Sequence, residues 1–200
     1  ANIGFAGILD LAKYFVNVAL VLVLHFALTY SLLLRFLAGL SPLRFFRDFY
    51  PVMVYAFSTS SSSATLPITL ETLEKKMGIK KEVASFTAPL GATINMDGTA
   101  IMQGVATVFI AQAYSVEIGL AGYMTVILTA TMASIGTAGV PGVGLITLAL
   151  VLQQVGLPVE GIALIIGVDR LLDMLRTSVN VGGDATVASI VAKSEGKLDY

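Results

Sequence analysis

The sequence predicts an all-α membrane protein, an inverted repeat in which a re-entrant helical hairpin precedes a broken transmembrane helix, twice over. Three observations predict it. Apolar residues make up 56% of the 200 and charged residues only 12%, against roughly 25% charged in an ordinary soluble domain, too few to cover a soluble surface of this size; the mean hydropathy is +0.86. The basic residues fall in clusters that assign sides to the loops. Two stretches rich in serine or glycine interrupt apolar segments where spanning helices need to be strongest. The net charge of −1 gives no sign of a nucleic-acid partner.

The first element, 1–40, is a transmembrane helix. Its residues 14–34, "YFVNVALVLVLHFALTYSLLL", carry no formal charge and span about 30 Å of helix, the thickness of a bilayer's hydrocarbon core. Its lone His25 has no polar company in sequence and reads as a packed histidine, not a proton relay. Arg35, Arg44 and Arg47 follow it, Lys75, Lys76, Lys80 and Lys81 form a second cluster, and Lys193 and Lys197 a third. The breaks "AYSVEIGLAGY" (113–123) and "QQVGLPVEG" (153–161) contain no Lys or Arg. The positive-inside rule puts the three clusters in the cytoplasm, the C-terminus with them, and the two breaks outside. The chain starts at Ala1 with neither an initiator methionine nor a cleavable signal pattern, which reads as the C-terminal part of a longer protein.

The second element, 41–82, cannot cross and return. A full double crossing needs about 40 residues of helix, and only about 30 separate two cytoplasmic clusters. The middle of that interval is "STSSSSATLP" (58–67), so the fitting shape is a hairpin with a serine-rich tip at mid-depth. The fourth element, 117–158, repeats the problem from outside, with a tip at Ser134, Gly136, Gly139, Pro141 and Gly142. A flexible linker is the plain alternative for either tip alone. Two tips, one from each side, fit open backbone lining a polar cavity. Both end in a small-apolar-Pro step, Thr65-Leu66-Pro67 and Gly139-Val140-Pro141.

The third element, 83–116, carries "TINMDGT" and the fifth, 159–200, carries "SVNVGGDAT", each an Asn and an Asp at a glycine interruption. Asn95, Asp97 and Gly98 are expected to break the helix so that freed carbonyls and the carboxylate serve as cation ligands. In the fifth element Asp169, Asp173, Arg176, Asn180 and Asp184 are spaced 4, 3, 4 and 4, which keeps them on one helix face. A centred Arg or Asp costs roughly 2.5–3.5 kcal/mol on insertion scales, so this face is expected to avoid lipid. A self-neutralising Asp173–Arg176 pair is the plain alternative, and it does not account for Asp184. Arg170 falls about 100° off the face and reads as paired or snorkelling.

"SSSSATLP", "GATINMDGTA", "SIGTAGVPG" and "LLDMLRTSVNVGGD" together resemble the glutamate transporter family of excitatory amino acid transporters, archaeal aspartate transporters and bacterial dicarboxylate or amino acid:cation symporters. The resemblance covers about residues 8–197, in order. It implies the transport-domain core of that fold, beginning near the sixth transmembrane helix, in a cell-membrane protein that is a homotrimer through scaffold helices outside this chain. It implies an acidic amino acid, L-aspartate or L-glutamate, as substrate, with no cofactor and sodium as coupling ion. The backbone near Ser62, Gly139 and Val140 would hold the substrate's main-chain carboxylate, Asp173 its amino group and Asn180 its main-chain end. Thr99, Thr177 and Arg176 would hold the acidic side chain. One sodium would use Asp184 with main-chain oxygens of Gly91, Asn95 and Asn180. A second would use main-chain oxygens of Thr93, Ser134, Ile135 and Thr137. A third would use the side chains of Asn95 and Asp97, with further ligands from a third helix outside this chain.

The residues agree with that reading on chemical grounds, since a guanidinium offers a planar fork to a carboxylate and oxygen ligands suit a hard cation. The family resemblance further implies sodium over proton coupling. Proton-driven relatives tend to carry Asn at the position of Asp184, and animal members carry a glutamate at that of Gln103, which cannot titrate. A proton-coupled glutamate or C4-dicarboxylate symporter is the alternative within the family. An intramembrane aspartyl protease would pair Asp97 with Asp184, but it would show Gly-x-Gly-Asp where this chain has Val181-Gly182-Gly183-Asp184, and it would leave both hairpins and Arg176 without a role. A channel would need repeated units around a pore, whereas these polar groups converge within one chain.

Overall fold

No proline or glycine falls between Gly7 and Gly39, and this apolar run forms one long helical rod. It begins as α1 (Phe5–Leu24), winds through a π-helical stretch, His25–Tyr30, then a single α turn, α2 (Ser31–Leu33), and a second π-helical stretch, Leu34–Ala38. Gly39 ends it in the left-handed conformation, φ +67°. The structure is a computed structural model and describes residues 5–200; residues 1–4, the start of the first predicted element, lie outside the described residues. Gly7–Ala38 is the one helix among the described residues long and apolar enough to cross a membrane. Val16, Leu20, Val23, Leu28 and Leu32 stand exposed along it at helical spacing.

Two helical hairpins follow the same logic. Pro42 opens α3 (Pro42–Thr59), Ser60 turns the chain with φ +51°, and Ser61 caps α4 (Ser62–Lys75) by accepting the Ala64 N–H at 3.1 Å. The tip is therefore Ser60–Ser61. Thr65-Leu66-Pro67, expected at its end, lies inside α4. In the second hairpin α7 (Gly119–Ile135) and α8 (Val143–Gln154) flank a turn of residues 136–142 that keeps Pro141 in the loop. Of its glycines, Gly142 alone needs the left-handed region (φ +80°).

Between the hairpins, α5 (Lys81–Ile94) and α6 (Asp97–Ala113) are separated by two non-helical residues, Asn95 and Met96. The interruption expected at Gly182-Gly183 is absent. After a 3-10 turn, Val159–Leu164, the last helix α9 (Ile166–Ser194) runs unbroken. The two glycines are there for packing. A Cβ on Gly182 would come within 2.8 Å of the Phe26 ring, and one on Gly183 within 2.6 Å of the Tyr30 hydroxyl. They are the notch in which the π-helical part of the first rod rests on α9. The architecture is all-helical, with α9 between two apolar clusters: one with Tyr14, Met102, Ile110 and Leu148, the other with Phe45, Phe49, Leu73 and Met77.

The chain's charge is sorted by end. The C-terminal tail pairs with the α4–α5 link through an isolated bridge, Ile79 to Leu198, and ion pairs Lys80–Asp199 (2.6 Å) and Lys197–Glu82 (2.9 Å). Arg44 lies over the Tyr200 ring, 4.2 Å from its centroid, and the Tyr200 hydroxyl donates to Asp48 at 2.8 Å. All three basic clusters thus meet at one end. At the other, a Cβ on Gly161 would touch the Ile110 and Tyr114 side chains, so the two breaks without Lys or Arg also meet.

Burial and the bond to Asp48 push the Tyr200 phenol up to about 12, while hydrogen bonds from Arg47 and Tyr200 hold Asp48 below its ordinary 3.8. The depressed Asp48 contributes stability above that value, lost as pH falls through its lowered pKa. The raised Tyr200 contributes below 10, lost as pH rises through about 12. Protection of the tail amides from hydrogen exchange is therefore expected to stay constant from pH 5 to 9 at about fixed ionic strength, and to fall in acid below the ordinary carboxylate range.

Candidate functional site

The two hairpin tips touch. The Ser61 hydroxyl donates to the Gly139 carbonyl at 2.7 Å and the Ser63 N–H to the same oxygen at 3.2 Å. A Cβ on Gly139 would meet the Ala92 carbonyl oxygen at 2.9 Å, the Ser63 hydroxyl at 3.0 Å and Ser62 at 3.2 Å. Only a residue without a side chain lets the tips and the end of α5 close this tightly. Beneath them lies a cavity of about 20 Å³, room for about one water. Ser62, Thr99, Gly139, Val140, Asp173, Arg176, Thr177 and Asn180, the substrate residues expected from the sequence, all line it.

Helix α9 supplies the charge. Asp169, Asp173, Arg176, Asn180 and Asp184 are all buried along one face of it, as a spacing of 4, 3, 4 and 4 requires. Arg176 is only 1% exposed. Its Nη1 donates to Asp169 Oδ1 at 2.8 Å and its Nε to Asp173 Oδ1 at 3.1 Å. Its Nη2 lies 3.0 Å from that same Asp173 oxygen, but off the hydrogen-bonding angle, and has no hydrogen-bond partner among the described residues. This N–H group faces Gly144 at the cavity wall, where a Cβ would come within 3.0 Å of it. The other oxygen of Asp173 accepts the Gly142 N–H at 3.0 Å, so the second tip is fastened to the same helix. Thr177 turns its hydroxyl to the Asp173 carbonyl at 2.7 Å.

Two turns along α9, Asp184 is 3% exposed and accepts the Asn95 amide at 2.9 Å; no Lys, Arg or His pairs with it among the described residues. The same amide donates to the Asn180 carbonyl at 3.1 Å, and a Cβ on Gly91 would come within 2.5 Å of the Asp184 carboxylate. Gly91, Asn95, Asn180 and Asp184 are therefore brought together. An isolated buried carboxylate is costly unless a cation completes it, and this oxygen-rich surrounding suits a hard cation better than a soft one. No three His, Cys, Asp or Glu side chains converge as a metal cluster among the described residues.

The other expected cation residues are arranged less simply. Ser134 and Ile135 end α7 and Thr137 lies in the turn that follows, with Ser134 and Thr137 buried and Ile135 exposed. Thr93 is on the last turn of α5, its hydroxyl donating to Pro89 at 2.9 Å. The carbonyl of Ser134 already accepts the Thr137 N–H at 3.0 Å. Asn95 and Asp97 turn to different partners, Asn95 to Asp184 and Asp97 to the first rod.

That last contact corrects the reading of His25 as a histidine without polar company. Its Nε2 lies 2.9 Å from Asp97 Oδ2, and the Tyr30 hydroxyl donates to the same oxygen. No spacing signal marks either residue, because the partner is 72 and 67 positions away on a rod whose periodicity is otherwise apolar. Asp169 was on the expected face without a role, and here holds Arg176. Gln103 spans from α6 to the second hairpin, its amide donating to the Thr147 hydroxyl at 2.8 Å. Arg170 is exposed and unpaired among the described residues.

Comparison with known proteins identifies the family. The profile of the sodium:dicarboxylate symporter family matches residues 1–194. The chain belongs to that family. It is 48% identical over 90% of its length to an excitatory amino acid transporter of Caenorhabditis elegans, covering 36% of that protein. It is 45% identical over 95% of its length to human excitatory amino acid transporter 2 and 46% over 91% to human excitatory amino acid transporter 1, covering 33% and 34% of them. The chain thus spans about a third of the length of these relatives. Membership makes it a transporter-family membrane protein, not an enzyme, and removes the aspartyl protease reading of Asp97 and Asp184.

Proposed function

We propose that this chain is the substrate- and ion-binding core of a sodium-coupled symporter for an acidic amino acid, L-aspartate or L-glutamate, working by alternating access in the cell membrane. The observation that carries the reading is the single buried face of α9. It holds a guanidinium with an N–H that has no hydrogen-bond partner among the described residues, at a small polar cavity, and, two turns on, a buried carboxylate with no counter-cation among them. The first suits a carboxylate side chain and the second a sodium ion. The names of the relatives, excitatory amino acid transporters, support the substrate class.

In this reading Arg176 binds the side-chain carboxylate with Thr99 and Thr177 beside it. Asp173 takes the ammonium, which favours an amino acid over a plain dicarboxylate, and Asn180 takes the main-chain end. The tips at Ser62, Gly139 and Val140 close over the main-chain carboxylate. Sodium sites use Asp184 with Gly91, Asn95 and Asn180; Thr93, Ser134, Ile135 and Thr137; and Asn95 with Asp97. Gathering of the basic clusters at one end, with the C-terminus, supports a cytoplasmic C-terminus, and the hairpins then enter the membrane from opposite sides. The family resemblance carries the proposal of a homotrimer. Gln103 does not titrate, so proton and potassium counter-transport through that position are not expected. Sodium-gradient-driven uptake of labelled aspartate by the full-length protein in liposomes, across a panel of amino acids and cations, tests the whole reading.

In this reading the second hairpin serves as the lid: Gly136, Gly139 and Gly142 give its tip freedom of φ, and when closed it is held to Asp173 and to the first tip. A Gly139→Val change puts a side chain into space bounded by backbone and hydroxyl groups, an overpacking cost of about 1–3 kcal/mol on the closed state. Substrate affinity is expected to fall by about tenfold or more, with thermal stability of the substrate-free protein little changed. Unchanged affinity in a well-folded Gly139→Val protein would count against the lid.

A further inference from the structure

The π-helical turn of the first rod is built into the same centre. Two side chains from it, His25 and Tyr30, both reach Oδ2 of Asp97, while Oδ1 accepts the Gly98 N–H at 2.9 Å. The Tyr30 hydroxyl also lies 3.1 Å from the Val179 carbonyl of α9, and its ring packs edge-on against His25 and Phe26. The five-residue separation of His25 and Tyr30 puts them about 140° apart on an ordinary α-helix; the π turn between them widens the helix and brings both to one carboxylate. Gly183 completes the arrangement. A Cβ there would come within 2.6 Å of the Tyr30 hydroxyl and 2.5 Å of the Asn95 amide, so one missing side chain lets the Tyr30–Asp97 contact lie against the Asn95–Asp184 contact.

We infer that His25 and Tyr30 are positioning residues for cation binding at Asp97: they fix the orientation of its carboxylate from the first rod, beside the Asp184 cluster in the space that Gly183 leaves open. The inference rests on the reading of Asp97 as a sodium ligand. A carboxylate held by donors on both oxygens is pre-set for a cation, whereas a free one must lose rotamer freedom when the ion binds. Oxygen-bonded neighbours of this kind act on ion affinity without touching the ion, and they are distinct from the substrate contacts of Arg176.

The test is the sodium dependence of aspartate uptake by the full-length protein in liposomes, for the parent, His25→Ala, His25→Gln, Tyr30→Phe and Asp97→Asn. The glutamine amide nitrogen reaches about as far as histidine Nε2, so it restores the bond to Asp97 that alanine removes. His25→Ala and Tyr30→Phe are expected to raise the half-saturating sodium concentration about tenfold, with the aspartate KM at saturating sodium within about twofold of the parent and His25→Gln close to parent in both. If Asp97→Asn changes the sodium dependence but His25→Ala and Tyr30→Phe do not, the positioning role is wrong. Equal damage from His25→Gln and His25→Ala, with the aspartate KM rising as well, assigns the residues to packing and also overturns it. No effect of Asp97→Asn on sodium dependence overturns instead the underlying reading of Asp97 as a ligand. Tyr30→Phe removes one oxygen and keeps the ring packing, so the test stands even where an alanine variant fails to fold.

Discussion

Replacing Arg176 with alanine is expected to abolish uptake of aspartate and glutamate. The guanidinium is fully buried, is held by Asp169 and Asp173, and keeps an N–H without a hydrogen-bond partner at the cavity wall. Truncating one partner of a buried, hydrogen-bonded charge pair costs binding about 2–5 kcal/mol, so affinity for an acidic side chain falls by at least about thirtyfold. The same change strands two carboxylates, and a loss of fold could be mistaken for a loss of substrate recognition. Arg176→Lys separates the two. It keeps a positive charge between Asp169 and Asp173 but not the planar fork, so the protein is expected to fold while acidic uptake still falls by about tenfold or more. Uptake of small neutral amino acids is expected to survive in both variants that fold. Normal aspartate uptake by Arg176→Ala would mean that the cavity under the tips is not the substrate site.

Asp184→Asn has the second large effect, and its two consequences have opposite signs. Asp184 is a buried carboxylate whose hydrogen-bond partner is the neutral Asn95 amide. Neutralising it removes a desolvation cost, so without sodium the variant is expected to be as stable as the parent or more so. With sodium the order reverses. An ion present at about 100 times its Kd stabilises the folded state by about 2.7 kcal/mol, worth about 5–10 °C in Tm for a protein of this size, and this gain is expected in the parent and to be largely missing in the variant. Uptake is expected to need much higher sodium. A sodium-induced rise in Tm as large in Asp184→Asn as in the parent would remove Asp184 from the cation site.

The α9 face was legible because charged residues in an apolar helix have few places to go. Their spacing alone puts Asp169, Asp173, Arg176, Asn180 and Asp184 on one side, and the structure buries all five. The break near Asn95 was legible from Asn, Asp and Gly standing together in an apolar run, although Asp97 and Gly98, expected to share in it, open α6 instead. The same reasoning misjudged Gly182-Gly183. Glycine lowers helix propensity by only about 1 kcal/mol, and packing of Phe26 and Tyr30 into the space it leaves outweighs that. Thr65-Leu66-Pro67 misled for another reason: Pro67 is the sixth residue of α4, inside the helix, where it gives up one intrahelical bond without ending the element. His25, Tyr30 and Ser61 were out of reach because their roles depend on contacts across 67 to 78 residues, and no local pattern encodes a partner at that distance.

The most direct measurement is uptake of labelled L-aspartate by the full-length protein in liposomes under an imposed sodium gradient, beside the same vesicles in sodium-free buffer under a proton gradient alone. Concentrative uptake with sodium, unaffected by the pH gradient or by internal potassium, is the predicted result. Full-rate uptake driven by protons without sodium would contradict it and make the chain part of a proton-coupled symporter.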